Sequence, residues 1–317
     1  MAGRRRAQRV IVATVMCGAL VTAAGCGLRM ETEPSPFPVA DQTTLARDDL
    51  ATAVATVVTA ATVRGNGEGT SAAPIATAQL EALGGVYIAY PNADATPEPS
   101  PVSPPSVATA ITALRNTARE IATQTSDANL ASLATSIDLA WALVGAGDNA
   151  AADGWLSEAL PLPDGTTSVA GFVPTLTTDL SPEVVAELAL MHDHARFVYE
   201  TAAAQLFAHE RDEALERSRA HGERSDALQA ATTAPDERTT LYQLRGVSVA
   251  DADARNALFI SIEHDLALRY TVLAVTATGS DRDWLLNAAY ASSMAVFTLG
   301  AGDDLITALP GLTVPSP

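Results

Sequence analysis

Apolar residues recur every three or four positions along most of this 317-residue chain, which is the spacing of amphipathic α-helices. Alanine, the best helix former, is frequent throughout, and no alternating β-branched and polar run is long enough to predict a sheet. The pattern therefore predicts an all-α protein with four helices in each half. The predicted helices lie at residues 42–63, 74–86, 106–124 and 127–145 in the first half, and at 182–208, 211–231, 250–276 and 281–299 in the second.

Irregular segments rich in proline or glycine divide these helical regions. Residues 26–40 predict an extended tether, and 91–106 predict an exposed loop within the first half. Residues 159–180 separate the two helical regions and are predicted to be a linker. We therefore expect two antiparallel four-helix bundles, an N-terminal one at 41–158 and a C-terminal one at 181–312.

The start of the fifth helix, which opens the C-terminal bundle, is specified by local sequence. Ser181 is expected to be the N-cap, Pro182 the first helical residue, and Glu183 an acid in the first turn. This run predicts the position at which the chain re-enters helix after the linker.

The two halves also carry similar segments. The last predicted helix of the first half ends in WALVGAGDN (141–149), and that of the second ends in VFTLGAGDD (296–304). Each last helix is preceded by Ser-Asp, at 126–127 and at 280–281. The glycine after each predicted helix favours a left-handed C-cap. Internal duplication explains these likenesses, and the alternative is chance similarity between alanine-rich amphipathic helices.

The first 25 residues have the features of a bacterial secretory signal. Four arginines lie among residues 4–9, a mostly apolar stretch follows at 10–23, and small residues precede a cysteine. A membrane-spanning helix needs roughly 20 apolar residues, more than this stretch supplies. We therefore expect residues 1–25 to be removed on export.

The cysteine at the end of this segment makes it resemble a lipoprotein signal. The resemblance implies cleavage before Cys26, a diacylglyceryl group on its thiol, and a chain anchored to the extracytoplasmic face of the cell membrane. Ala23 stands where such signals usually have Leu. The alternative is a secreted protein cleaved after Ala24 or Gly25.

Composition narrows the classes of partner. All 19 basic residues are arginine, and removal of the signal leaves 15 of them against 37 acidic residues, a formal charge of −22. This balance argues against nucleic-acid binding and against a chain lying flat on anionic lipid. The absence of lysine, with abundant alanine, indicates a GC-rich, actinobacterial genome. Because Cys17 lies inside the signal, the processed chain has no disulfide and no free thiol nucleophile.

All five histidines lie in the second half, at positions 192, 194, 209, 221 and 264. Three short segments there are distinctive: DHARFVY (193–199), HGERSDAL (221–228) and SIEHDLALRY (261–270). With these segments, residues 182–312 resemble a ferritin-like family of unknown function found in actinobacterial lipoproteins. The resemblance implies an acid-His pair at Asp193-His194, His221 followed by Arg224, and a Glu at Glu263. Asp193 stands where the family usually has Glu, and the resemblance brings no known activity.

Helical spacing supports a buried polar cluster formed by these residues. Glu263 interrupts an apolar stripe, and a buried charge is costly unless it is paired. Facing helices are expected to bring Asp193, His221, Arg224 and Glu263 together near the bundle centre. One interpretation is an ion-pair network in which the Arg224 guanidinium satisfies the carboxylates.

The other interpretation is a metal site. No Glu-x-x-His pair occurs anywhere in the chain, which argues against a di-iron centre. A single metal ion held by Asp193, His221 and Glu263 remains open, and no other cofactor is predicted. The chain also lacks a Gly-x-Ser-x-Gly elbow and a phosphate-binding loop.

We therefore expect a membrane-anchored extracytoplasmic lipoprotein that is a non-catalytic binding or scaffolding module of the cell envelope, with a partner that the sequence does not identify. The alternative is a ferritin-like metal-binding or redox protein with a degenerate site in the second bundle. No catalytic residue is predicted.

Overall fold

The computed structural model describes residues 40–64, 72–87, 103–150, 178–244 and 249–312. Within these ranges the chain forms eight α-helices and no strand, which confirms the all-α prediction. The helices are α1 Gln42–Arg64, α2 Ala72–Ala82, α3 Val107–Gln124, α4 Ala128–Ala150, α5 Pro182–Ala203, α6 Ala208–Ala230, α7 Ala252–Thr276 and α8 Ser280–Thr298, followed by a short 3-10 helix at Asp303–Leu305.

The chain from Gln42 onward forms one compact unit, and of the preceding segment, Met1–Asp41, only two residues are described. Cys26, the predicted signal at 1–25 and most of the predicted tether at 26–40 therefore lie outside the described residues, as does most of the predicted linker at 159–180.

Local caps set several of the helix starts. The Ser181 side chain accepts a hydrogen bond from the Val184 backbone N–H, with Pro182 next to it, as predicted. Ser106 caps α3 in the same way. Asp251 caps α7 by accepting from the Ala254 N–H at 2.8 Å. Each cap satisfies a backbone donor that the helix itself leaves unpaired.

Two apolar cores correspond to the two helical sets. In the first set α1 packs against α2 and α3, and α3 packs against α4, around buried side chains such as Leu50, Ile111 and Trp141. In the second set α5 packs against α6, α7 against α8, and α5 against α7, around Leu188 and Leu266. This pairing supports the prediction of two helical bundles.

The two sets are joined by α4 and by the C-terminal segment. Leu139 and Leu143 of α4 are buried in the second core, and α4 packs against α7 and α8. In return, Leu309 is buried in the first core, where Gln79 Nε2 donates to the Ala308 carbonyl at 2.9 Å. Sequence patterns gave no sign of this interlocking, because it depends on contacts between distant segments.

Helix α4 is largely apolar in composition. Among the described residues, its segment Ala128–Gly145 is the one whose length and composition would allow it to cross a membrane, but 78% of that segment is buried inside the protein. Its packing between the two cores accounts for its apolar composition.

The GAGD segments shared by the two halves differ in structure. In the second half α8 ends at Thr298, and Gly300 takes a positive φ of 78°, as predicted for a left-handed cap. In the first half the corresponding Gly145 lies inside α4, which continues to Ala150. The predicted left-handed cap after residue 144 is therefore wrong, because the helix does not end there.

Candidate functional site

A buried carboxylate on α7 lies at the centre of the second set. Glu263 is 2% exposed, and its Oε1 accepts three hydrogen bonds from two neighbouring helices. The donors are the Tyr199 hydroxyl of α5 at 2.9 Å, His221 Nε2 of α6 at 3.2 Å, and Arg217 Nη1 of α6 at 3.3 Å. These bonds offset the desolvation of a charge that would otherwise be costly to bury.

A chain of hydrogen bonds continues from this carboxylate into the core. His221 Nδ1 lies 2.9 Å from His192 Nδ1, and His192 Nε2 lies 2.9 Å from the Tyr270 hydroxyl. All of these side chains are at most 2% exposed. The array of Glu263, His221, His192, Tyr270, Tyr199 and Arg217 is called the buried network below.

The carboxylate fixes the direction of this chain while His221 is neutral. A carboxylate only accepts, so His221 Nε2 carries the proton and its Nδ1 is an acceptor. His192 then donates from Nδ1, and its Nε2 accepts from the hydroxyl of Tyr270. Protonation of His221 reverses the two inner bonds, because both of its nitrogens then donate. The buried network can therefore hold one additional proton without losing a hydrogen bond.

The surroundings lower the pKa values of both His192 and Glu263, but for different reasons. Burial, followed by the charges of His221 and Arg224, holds the pKa of His192 well below 6.5. Burial alone would raise the pKa of Glu263. The charge and hydrogen bond of His221, the charge of Arg217 and the hydrogen bond of Tyr199 outweigh burial and lower that pKa. The network thus favours a neutral His192 beside an ionised Glu263.

The structure brings His221 and Glu263 together as expected but does not bring Asp193 to them. Asp193 Oδ1 accepts from Arg196 Nε at 2.8 Å, and its Oδ2 accepts from the Tyr242 hydroxyl at 2.6 Å. The neighbouring His192 takes the core position instead. Consecutive helical residues point about 100° apart, so a shift of one residue replaces an acid with an imidazole.

This placement separates the ligands of the metal site considered above. Asp193 is occupied by Arg196 and Tyr242, away from His221 and Glu263. Within the part of the chain that the structure describes, no three His, Cys, Asp or Glu side chains are grouped so that they could hold a metal ion.

The direct arginine partner of Glu263 also differs from the expected one. Arg217 makes the ion pair at 3.3 Å, whereas Arg224 lies close enough for its charge to be felt by His192 and Glu263. Arg217, His221 and Arg224 are spaced by four and three residues, and so share one face of α6. This spacing could have predicted from the sequence that Arg217 lies beside His221.

The same spacing would have identified the tyrosines. Tyr199 follows His192 by seven residues on α5, and Tyr270 follows Glu263 by seven on α7, so each pair lies on one helical face. No sequence feature distinguished His192 from His194 as the histidine that lies in the core.

The buried network reaches the surface in a groove between α6 and α8. These two helices do not pack closely within the described part of the chain, and the space between them has a volume of about 720 Å³. His221 and Glu263 line its floor. Arg217 crosses it, because its Nη2 donates to Thr298 Oγ1 of α8 at 3.0 Å while its Nη1 binds Glu263.

The two walls of this groove differ in character. The α6 wall carries Glu213, Glu216 and Arg224, which are charged, whereas the α8 wall carries Ala291, Met294 and Ala295. The groove is therefore amphipathic, with an ion-paired floor and one apolar wall.

Comparison with known proteins places part of the chain in an uncharacterised class. Residues 186–314 match the model of a family described as a domain of unknown function (DUF4439). The matched range covers helices α5 to α8 almost completely and so contains the buried network and the groove. No curated protein and no solved structure matches the chain.

Proposed function

We propose that this protein is a lipid-anchored, extracytoplasmic binding module of the cell envelope, and that it is not an enzyme. The observation that carries the proposal is the amphipathic groove between α6 and α8, where two neighbouring helices leave the seam of a bundle open. The features of the N-terminal segment support lipidation at Cys26, and the composition supports an actinobacterial origin. We also propose that the second set has a ferritin-like arrangement.

The proposed occupant of the groove is an amphipathic segment of another envelope protein. A helix with one apolar and one charged face would place its apolar side on Ala291, Met294 and Ala295, and its charged side along Glu213 and Glu216. This is the helix-in-groove mode of recognition, in which a few apolar anchors supply most of the affinity. The ion-paired floor holds α5, α6 and α7 in place while the groove is empty.

Photo-crosslinking in the native cells tests the groove. A benzoyl-phenylalanine at position 295 lies in the apolar wall, and the matched control at Thr62 is exposed on α1. We expect a discrete crosslinked product from position 295, none from position 62, and loss of that product when Ala291→Trp fills the groove. Equal products from both positions, or a product that survives Ala291→Trp, would overturn the proposal.

Fractionation tests the anchor separately. The wild-type chain is expected in the membrane fraction with an acyl group on Cys26, and Cys26→Ser is expected in the soluble fraction without one. Mass spectrometry of the N-terminal peptide reads the modification directly. An unmodified wild-type chain in the medium would show instead that the protein is secreted.

A further inference from the structure

A second cavity, distinct from the groove, lies between the two helical sets. It has a volume of about 410 Å³ and is bounded by α3, α4 and α8. Small-molecule sites typically occupy roughly 300–1,000 Å³ and combine apolar lining with a few polar groups. Here the apolar lining comes from Leu139, Ala142 and Leu286, and the polar groups from arginines and a tyrosine.

The interior of this cavity carries an excess of positive charge. The Asp138 carboxylate accepts from Arg115 Nε at 2.7 Å and from Arg119 Nε at 2.8 Å. Arg282 is 6% exposed, and within the described residues it donates only to the carbonyls of Ala122 and Ala277 and not to a carboxylate.

One donor of Arg282 is unsatisfied. Its Nε is buried and has no hydrogen-bond partner among the residues that the structure describes. The acids Glu120 and Asp283 line the cavity too, but both are exposed at its rim, where water weakens their effect. The charge of Asp283 raises the pKa of Arg282, but burial outweighs it and lowers that pKa. The buried part therefore holds two arginines, Arg115 and Arg282, against the single carboxylate of Asp138.

A largely buried tyrosine lines the same cavity. Tyr290 is 4% exposed, and its hydroxyl makes no hydrogen bond to any described residue. Burial raises the pKa of Tyr290, and the nearby charge of Arg115 opposes that rise only in part, so the hydroxyl stays protonated at neutral pH. The hydroxyl oxygen is accessible to water, so a ligand in the cavity can replace that water and accept the hydrogen bond.

We propose that this cavity binds a small organic anion, with its carboxylate group near Arg115, Arg282 and Tyr290 and its apolar body on Leu139 and Leu286. The anion balances the buried positive charge and accepts from the Tyr290 hydroxyl. The apolar body fills the remaining volume. This site does not depend on the occupant proposed for the groove.

Calorimetric titration of the full processed chain with octanoate tests the proposal. We expect saturable binding at one site. Acetate lacks the apolar body and octanamide lacks the charge, and each is expected to bind about tenfold or more weakly, since a charged hydrogen bond contributes about 1.5–3 kcal/mol. No saturable octanoate binding, or equal binding of octanamide, would overturn the proposal.

Variants locate the bound probe. Arg282→Gln is expected to weaken octanoate binding about tenfold, and Tyr290→Phe about three- to tenfold. Because the Tyr290 hydroxyl has no described protein partner, Tyr290→Phe should keep the wild-type melting temperature even if Arg282→Gln does not fold. Leu286→Trp, which fills the cavity, should abolish binding, and the surface variant Arg211→Gln should not affect it.

A groove variant distinguishes the two sites, because Tyr290 lines both. Ala295→Trp occupies the groove alone and is expected to leave octanoate affinity unchanged. If Ala295→Trp weakens binding as much as Leu286→Trp does, the probe lies in the groove and the cavity proposal fails. If Leu286→Trp has no effect, the proposal fails in the same way.

Discussion

Among the buried carboxylates, Asp138 of the first set and Glu263 of the second are satisfied in different ways. In the first set Asp138 of α4, 4% exposed, is held by two arginines from a single helix, Arg115 and Arg119 of α3. In the second set Glu263 of α7 receives donors from two helices, α5 and α6, and continues into a histidine pair. Asp138 therefore pins one helix pair, whereas Glu263 ties three helices together.

This difference predicts unequal losses when each carboxylate is removed. Glu263→Ala leaves a buried hydroxyl, an imidazole and Arg217 without their acceptor, and is expected to lower the free energy of unfolding by about 3–5 kcal/mol. Asp138→Ala is expected to cost about 1–3 kcal/mol, because Arg119 is 48% exposed and can be hydrated. Urea unfolding of the processed chain measures both.

The matched controls keep the shape of each side chain. Glu263→Gln and Asp138→Asn retain an acceptor and should each recover part of the loss. Equal losses for the two alanine variants would contradict the view that the second carboxylate is the more widely shared one.

The GAGD segment after α8 forms a turn where the first half continues as helix, and two of its glycines test how that turn is held. Gly302 has a φ of 116°, and a Cβ placed there would lie 2.7 Å from Phe297 Cδ1. Gly302→Ala is expected to cost about 2–3 kcal/mol through backbone strain and the clash. Gly300 has open space around its Cβ direction, so Gly300→Ala should cost only about 1 kcal/mol of strain.

Thermal unfolding of the two glycine variants checks this order. If Gly302→Ala is tolerated as well as Gly300→Ala, the turn after α8 is not packed on Phe297 as described.

All of the histidines lie in the second half of the chain, so we expect mild acid to lower the stability of the second set rather than that of the first. Since the pKa of His192 is held well below 6.5, the unfolded chain binds a proton that the folded chain does not in the range just below that value. The free energy of unfolding should therefore fall as the pH falls, by at most about 1.4 kcal/mol per pH unit for this group. The lowered pKa of Glu263 acts in a separate range, below its ordinary value of 4.5.

His192→Phe cannot titrate, so its stability should depend less on pH between about 6.5 and 5 than that of the wild type. Urea unfolding at several pH values gives the two slopes. Tyr270→Phe is the control, because it removes a neighbour of His192 but keeps the titrating ring. Parallel slopes for His192→Phe and wild type would show that His192 is not buried in its neutral form.

The smallest expected effect is at Asp193. Its carboxylate joins α5 to the segment that follows α6 through Tyr242, outside the buried network. Asp193→Asn is expected to cost about 1 kcal/mol, with Tyr242→Phe costing a similar amount. The ring nitrogen signals of His192 and His221 in NMR spectra should not change in either variant, and a change in them would place Asp193 in the network after all.

Much of the helical framework followed from local sequence. Helical periodicity located all eight helices, and Ser181-Pro182 marked the start of α5, because capping uses neighbouring atoms. The sequence pattern predicts that the fifth helix ends at residue 208, whereas α5 ends at Ala203. Nothing in the alanine-rich sequence there opposes further helix, so the break depends on packing.

The candidate site was predictable only in part. Glu263 and His221 were identifiable because each interrupts an apolar face, and both lie in the network. His192 was missed in favour of Asp193, because the sequence fixes which residues share a helical face but not how the helix is rotated toward its neighbours. That rotation follows from which apolar side chains are buried across the whole bundle.

By itself the sequence determined the helical class, most helix positions, the Ser181 cap and the acidic composition. Tertiary structure alone decided the rotation of α5, the interlocking of the two cores, and the different conformations of the two GAGD segments. Glycine permits both a helix and a left-handed turn. At Gly300 the chain turns and Leu309 reaches the first core, whereas at Gly145 α4 continues as helix.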